Sequence, residues 1–331
     1  MKDPLVSIII ITRNRASLLR HCLEHALSQP YPHKEIIVVD SSSNDESEQV
    51  VAQHPEVISV RLRGQRNNMP QGRNAGIAAS SGDIISFVDD DAMVRPDWLA
   101  SLLEAYQDET VGAVGGRVIE IPEPHCDLVS GPPRMVVKSS GRVIGKGRGL
   151  FSTEKIEVDH IPGGNMSFRR EVLERVGGFD PNYTLTNFRE ETDLCIRVKK
   201  AGWCILFVPT MAVVHHSTRV QSMHIWNQPY LLFSSGRNNT YFAIKNFGLN
   251  PRTLVGQLIV DTAEVVGKLL YVSGQLSISA MLHMVGRVFG LAAGIAWLMS
   301  SKRRAEGAPK IERRVNQLVS QRATSHSNIL V

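Results

Sequence analysis

A chain of 331 residues with 43% hydrophobic and 21% charged residues is neither disordered nor collagen-like, and it suffices for one large core or for a domain with an appendage. Its 37 Lys and Arg against 32 Asp and Glu give a net charge of +5, but seven basic residues against two acidic ones lie within 300–331, which leaves residues 1–299 neutral. A nucleic-acid binder is disfavoured, because its cations should line a binding face rather than gather in one tail.

The chain opens with Lys2, Asp3 and a short apolar run over 6–11, interrupted by Ser7, before Thr12 and Arg13. That run is too short for the core of a signal peptide, so the expected compartment is the cytosol. β-Branched runs at 5–11, 35–39, 57–62, 84–88 and 111–119 predict strands, and the segments 17–28, 47–53, 73–80 and 96–107 between them predict helices. Such alternation predicts an α/β fold with a mostly parallel, doubly wound sheet, in which ligands bind beyond the carboxyl ends of the strands. Residues 121–160, rich in Pro, Gly and Ser, predict an irregular excursion such as a hairpin over the site. Within it the G-x-G-x-G at 145–149 lacks the strand-to-helix setting of a dinucleotide loop and reads as loop geometry.

Past Tyr230 the pattern becomes helical, with Leu254, Val255, Leu258, Ile259, Val265, Val266, Leu269 and Leu270 forming one apolar face. The stretch 281–299 is more apolar but contains His283 and Arg287. The fourteen residues between Arg287 and Lys302 are uncharged, short of the roughly 20 needed to span a bilayer. A pair of interfacial helices followed by a basic tail is expected, suited to an anionic membrane surface; packing on the rest of the chain or a homo-oligomer interface is the competing use of the same helices. Cys22, Cys126, Cys195 and Cys204 form no C-x-x-C pair and no zinc-like spacing, so reduced thiols are expected.

The strongest local signal is the apolar strand 84–88 running into Asp89-Asp90-Asp91. Three adjacent carboxylates repel one another unless a cation holds them. Hard oxygen ligands at a strand tip suit Mg2+ or Mn2+, which commonly bind substrate phosphates too. The bland alternative is an acidic turn in which Asp90 or Asp91 caps the next helix. A second acid, Asp40, follows Ile36-Ile37-Val38-Val39; it can accept hydrogen bonds from a nucleoside, as acids after Rossmann strands do from ribose, or serve as a helix cap, for which Asp45 is better placed.

Taken together, the chain resembles a family 2 glycosyltransferase of the GT-A fold. The resemblance rests on Thr12-Arg13-Asn14-Arg15 after the first strand, Val39-Asp40-Ser41-Ser42, Gly72-Arg73-Asn74-Ala75-Gly76, Gly82-Asp83 running into Asp89-Asp90-Asp91, Gly163-Gly164-Asn165, Gly177-Gly178-Phe179-Asp180, Glu190-Glu191-Thr192-Asp193 and Val213-Val214-His215-His216, in the family's order over residues 4–218. It implies that Thr12, Arg13 and Asp40 contact the nucleotide, with Asp83 near the base and Arg73 and Asn74 beside the diphosphate. Asp89 and Asp91 match the D-x-D carboxylates, the first towards ribose and the second on a Mg2+ or Mn2+ ion, and Asp90 can share either role. The V-x-H spacing selects His216 to complete the metal shell. Glu191 falls on the position of the catalytic base, where the family more often has Asp, and Glu190 and Asp193 are possible substitutes. Asp193 and Arg197 also sit four apart on a predicted helix, where they can form a structural ion pair.

The resemblance thus implies an inverting transferase of hexosyl type that moves a sugar from a nucleotide-sugar donor to a glycan or lipid-linked acceptor, as in bacterial cell-surface polysaccharide synthesis. Without a Q-x-x-R-W element, it resembles enzymes that add one sugar at a time. The implied organisation is a catalytic domain over 1–225, divided near 120 into nucleotide and acceptor halves, then an amphipathic helical region over 226–300 and a flexible tail over 301–331. The apolar helical region and basic tail lead to the inner face of the cell membrane, held peripherally, as the expected location. A non-catalytic GT-A scaffold or sugar-nucleotide-binding protein is the rival, and intact carboxylates at Asp89, Asp91 and Glu191 speak against it.

Overall fold

The computed structural model describes residues 3–42, 44, 46–62, 68–121, 135–145, 154–216 and 228–251, with isolated positions beyond. The apolar helical face starting at Leu254, most of 281–299, the basic tail and the glycines at 147 and 149 lie outside the described residues.

Eleven strands and seven helices follow in the order β1 (Val6–Thr12), α1 (Ala16–Leu27), β2 (Lys34–Asp40), α2 (Glu46–Val51), β3 (Ile58–Arg61), α3 (Met69–Ala79), β4 (Ile84–Asp89), β5 (Ala92–Val94), α4 (Trp98–Ala105), β6 (Val111–Ile121), β7 (Val136–Val137), β8 (Val143–Ile144), β9 (Ile156–Glu157), β10 (Asn165–Arg169), α5 (Arg170–Val176), α6 (Glu190–Lys200), β11 (Cys204–His216) and α7 (Gln228–Phe247) among the described residues. β1 alternates its side chains across the sheet. Val6, Ile8 and Ile10 join Leu19, Cys22 and Leu23 of α1, whereas Ile9 joins Ile37 and Val39 of β2 on the other face. Cover on both faces is why these strands are almost unbroken apolar runs.

The main sheet runs β3-β2-β1-β4-β10-β6-β11-β5, with β9 paired to β11. β3, β2, β1 and β4 are parallel, as are β6 and β11, but β10 is antiparallel to both β4 and β6. The sheet is therefore mixed in its second half, because β10 is entered from the loop at the carboxyl end of the sheet rather than through a crossover helix. Asn165 secures that inversion: its Nδ2 donates to Arg117 O and Met211 O at 3.1 and 2.7 Å, and its Oδ1 accepts from Trp98 Nε1 at 2.8 Å. Trp98 is fully buried and belongs to the core.

The small β7–β8 hairpin is the described part of the Pro/Gly-rich excursion. Helix α7 packs on α6, with Tyr241 and Phe242 against Tyr183 and Ile196. It falls within the stretch expected to form the amphipathic helical region over 226–300, and it shares a core with α6. Among the described residues, no helix is long and apolar enough to cross a membrane.

Candidate active site

Parallel pairing sets Ile11 of β1 opposite Asp89 of β4, so the acidic triplet emerges beside Thr12. Thr12 Oγ1 donates to Asp90 Oδ2 at 2.8 Å, and Arg15 Nη1 donates to Asp90 Oδ1 and Asp91 Oδ2, each at 3.1 Å. Burial pushes the Asp90 carboxyl up to about 6, against the pull of Arg15 and Thr12. Arg15 had no assigned role in the sequence, where a lone Arg at a strand-to-helix turn reads as a solvated charge. Its signal was the uncompensated triplet itself, which needs a counter-charge.

Pairing of β11 with β5 sets His215 opposite Ala92, next to the triplet. His215 Nε2 lies 2.9 Å from Asp91 Oδ1, and ligand atoms of Asp89, Asp91 and His215 all fall within 4.8 Å of one another. Burial acts to raise the Asp91 carboxyl, but the hydrogen bond and charge of His215, with the charge of Arg15, hold it below its usual range. The expected ligand was His216. Neighbouring side chains of a strand point to opposite faces, and it is His215 that meets Asp91, while His216 donates only its backbone N–H to Asp91 O at 2.9 Å. Two carboxylates and an imidazole form a donor set that fits a divalent cation.

Arg73, in the second turn of α3, is buried. Its guanidinium forms an ion pair with Glu190, lies 3.9 Å from Asp89 Oδ1, donates to Gly163 O at 3.0 Å and packs over Phe179. Burial lowers its pKa, opposed by the charges of Asp89 and Glu191. Asn74 exchanges hydrogen bonds of 2.8 and 2.9 Å with the backbone of Phe179. These two residues, expected beside a diphosphate, thus tie α3 to the 163 and 179 loops.

The three acids at the start of α6 separate by environment. Glu190 is buried against Arg73. Asp193 is fully buried and accepts from Arg197 Nε at 2.9 Å, Lys245 Nζ at 2.8 Å, Asn246 Nδ2 at 2.8 Å and Tyr183 Oη at 3.1 Å. Burial acts to raise it, but Arg197 and Lys245 keep it below the usual carboxylate range. Glu191 is half-buried, with Thr192 Oγ1 donating to it at 3.3 Å. Two successive glycines face these acids: a Cβ at Gly163 would lie 3.7 Å from Glu191 Cγ, in ordinary van der Waals contact, and one at Gly164 would collide with the Asp89 carboxylate.

A cavity of about 370 Å³ opens beside these groups, lined by Thr12, Arg13, Arg15, Ser41, Asp90 and Asn187 among others. Asp40 is buried at the end of β2; its Oδ1 accepts from Ser42 N at 2.7 Å, and its Oδ2 has no hydrogen-bond partner among the described residues. Asp83 is not brought to the site. It precedes β4, at the opposite end of that strand from Asp89, and its Oδ2 accepts from Leu5 N at 2.9 Å.

The family model described as "Glycosyl transferase family 2" matches residues 7–177, just over half of the chain. The chain is 26% identical over 231 residues to the glucosyl-dolichyl phosphate glucuronosyltransferase of Haloferax volcanii, covering 67% of this chain and 72% of that protein. It is 30% identical over 218 residues to the pre-mycofactocin glycosyltransferase of Mycobacterium tuberculosis, covering 65% of this chain and 43% of that protein. Across three curated relatives the chain spans between 25% and 72% of their length. A solved mannosyltransferase from Pyrobaculum calidifontis, in complex with GDP-Man and Mn2+, aligns over 96% of this chain and 84% of its own with a TM-score of 0.53 at 19% identity, a likeness of fold.

Proposed function

The chain belongs to glycosyl transferase family 2 and has the GT-A fold, and on that premise we propose that it transfers a hexosyl group from a nucleotide-sugar donor to a hydroxyl of a glycan or lipid-linked acceptor, with inversion at the anomeric carbon. The observation that carries this reading is the approach of Asp89, Asp91 and His215 to within 4.8 Å beside the cavity, with Glu191 seated across Gly163 from Arg73.

Thr12, Arg13 and Asp40 bound the nucleoside, the unpartnered Oδ2 of Asp40 being an acceptor for one of its N–H or O–H groups. Asp89, Asp91 and His215 are the residues to hold Mg2+ or Mn2+, the imidazole favouring Mn2+. A divalent ion there supplies positive charge where the nucleoside diphosphate departs. Glu191 takes the proton of the acceptor hydroxyl. That oxygen bonds to the anomeric carbon on one face while the bond from carbon to the diphosphate oxygen breaks on the other. Glu190 and Asp193 are poor bases because cations already engage their buried carboxylates.

A lipid-linked acceptor is supported by the relative whose name refers to glucosyl-dolichyl phosphate. Peripheral attachment to the inner membrane face is supported by the seven basic and two acidic residues of 300–331, each well-placed cation contributing about 1 kcal/mol at an anionic surface. The decisive experiment screens nucleotide-sugars with Mn2+ for thermal stabilisation of the full chain, followed by transfer assays with the donor found. Asp91→Ala should lose both the Mn2+-dependent stabilisation and transfer; unchanged turnover refutes the metal group.

A further inference from the structure

The segment leading into α6 is held in an unfavourable shape. Leu185, Asn187 and Arg189 have φ of 71°, 56° and 77°, a left-handed region that is unfavourable for Leu and Arg and persists only where neighbours over-determine it. The same segment places Thr186 and Asn187 in the cavity wall and delivers Glu190 and Glu191 to the site.

Those neighbours come from α7. Ser234 Oγ accepts from Thr186 N at 3.0 Å, Asn238 Nδ2 donates to Thr184 O at 3.2 Å, and Asn239 Oδ1 accepts from Arg189 Nε at 2.7 Å. One end of the helix adds a charged clasp. Lys245 Nζ donates to Asp180 Oδ2 at 2.6 Å and to Asp193 Oδ2 at 2.8 Å, and Asn246 Nδ2 donates to Asp193 Oδ1 at 2.8 Å. α7 thus bonds the segment at both ends and through its strained middle. It lies beyond the residues 7–177 that match the family model.

We propose that α7 is the brace of the catalytic segment, and that Lys245 is the positioning residue through which it sets the reach of Glu191; this rests on the reading of Glu191 as the base. Asp193, two residues after Glu191 in the first turn of α6, is fully buried, so its charge must be offset within the protein. Arg197 and Lys245 do so, and Lys245 alone of the two also clasps Asp180. Removing its ammonium leaves Arg197 as the one ion-pair partner of the buried Asp193 carboxylate among the described residues. It also frees the segment to relax from its left-handed conformations.

The test compares the full-length enzyme with Lys245→Met, Lys245→Arg, Asn239→Ala and Glu191→Gln, measuring kcat, donor KM, and nucleoside diphosphate affinity with Mn2+. Lys245→Met should lower kcat about tenfold or more and leave donor KM and nucleoside diphosphate affinity within about threefold; Lys245→Arg should restore most of kcat. Wild-type kcat in Lys245→Met overturns the proposal. If Lys245→Met does not fold, Asn239→Ala decides: a loss in kcat at unchanged donor KM supports the brace, and full activity overturns it. Turnover retained by Glu191→Gln marks failure of the base assignment, whereas an inactive Glu191→Gln beside a fully active Lys245→Met marks failure of the brace alone.

Discussion

Arg73 and Glu190 form an ion pair in which both side chains are only 3% exposed, and the same guanidinium lies 3.9 Å from Asp89. One buried cation therefore links the group of Asp89, Asp91 and His215 to the start of the helix that carries Glu191. Glu190→Gln removes one of the carboxylates facing this buried guanidinium, a change that typically costs up to about 3–5 kcal/mol. Urea unfolding should show a loss of that order, with turnover falling alongside it. Wild-type stability would mean that Arg73 finds its compensation elsewhere.

Glu191→Gln should behave in the opposite way. Its side chain is half-buried and no ion pair with it is present among the described residues, so the amide should leave stability and nucleotide binding intact. With Glu191 in its proposed role as base, kcat should fall by about 10²–10⁴. Transfer kinetics and calorimetric titration of the nucleoside diphosphate on the same preparation check both halves of the prediction.

Much of this arrangement was legible in the sequence, and the exceptions share a cause. The runs that became β1, β2, β4 and β6 could be found because burial on both faces leaves them almost purely apolar. The carboxylates of Asp89 to Asp91 stood out because they are contiguous. His215 could not be told from His216, since only the register of β11 on β5 decides which ring meets Asp91. Glu190 and Glu191 differ by one step of helix phase, fixed by the left-handed Arg189 before them. Asp83 travelled with its motif, although the strand boundary puts it at the wrong end of β4. The polar residues of α7 gave no signal, because their partners lie about 50 residues away.

The two histidines offer a sharp comparison. His215→Ala should weaken Mn2+ binding by at least the roughly 10–100-fold that loss of a supporting group causes, whereas His216→Ala should leave it near wild type. Mn2+ titration followed by electron paramagnetic resonance measures this without turnover. Equal effects of the two substitutions would refute the group of Asp89, Asp91 and His215.

Gly164 tests the same group from the backbone. An added methyl there would collide with the Asp89 carboxylate, so Gly164→Ala must swing that side chain away or shift β10. Mn2+ affinity and transfer should fall together, with the circular dichroism spectrum unchanged. Gly163→Ala is the control: its methyl meets Arg73 Nη2 at 3.2 Å and no atom of Asp89 within 4 Å among its three nearest contacts, so Mn2+ affinity should change less.

His160 is buried, and burial, aided by the charge of Arg189, pushes its imidazole down to about 4 from an ordinary 6.5. Between those values the unfolded chain holds a proton that the folded chain does not. Stability from this group is therefore complete above about pH 6.5 and is lost as pH falls towards 4, by up to about 3 kcal/mol. Asp90 acts with the opposite sign, because a carboxyl raised to about 6 takes up its proton first in the folded state, so its contribution grows as pH falls from 6 towards 4. The two effects overlap, and the stability curve of the wild type isolates neither. The difference between wild type and His160→Gln does: measured by urea unfolding from pH 7 to pH 4, it should shift by about 3 kcal/mol in favour of the variant as pH falls. A difference that stays constant over that range would show that His160 takes up a proton as readily in the folded chain as in the unfolded one.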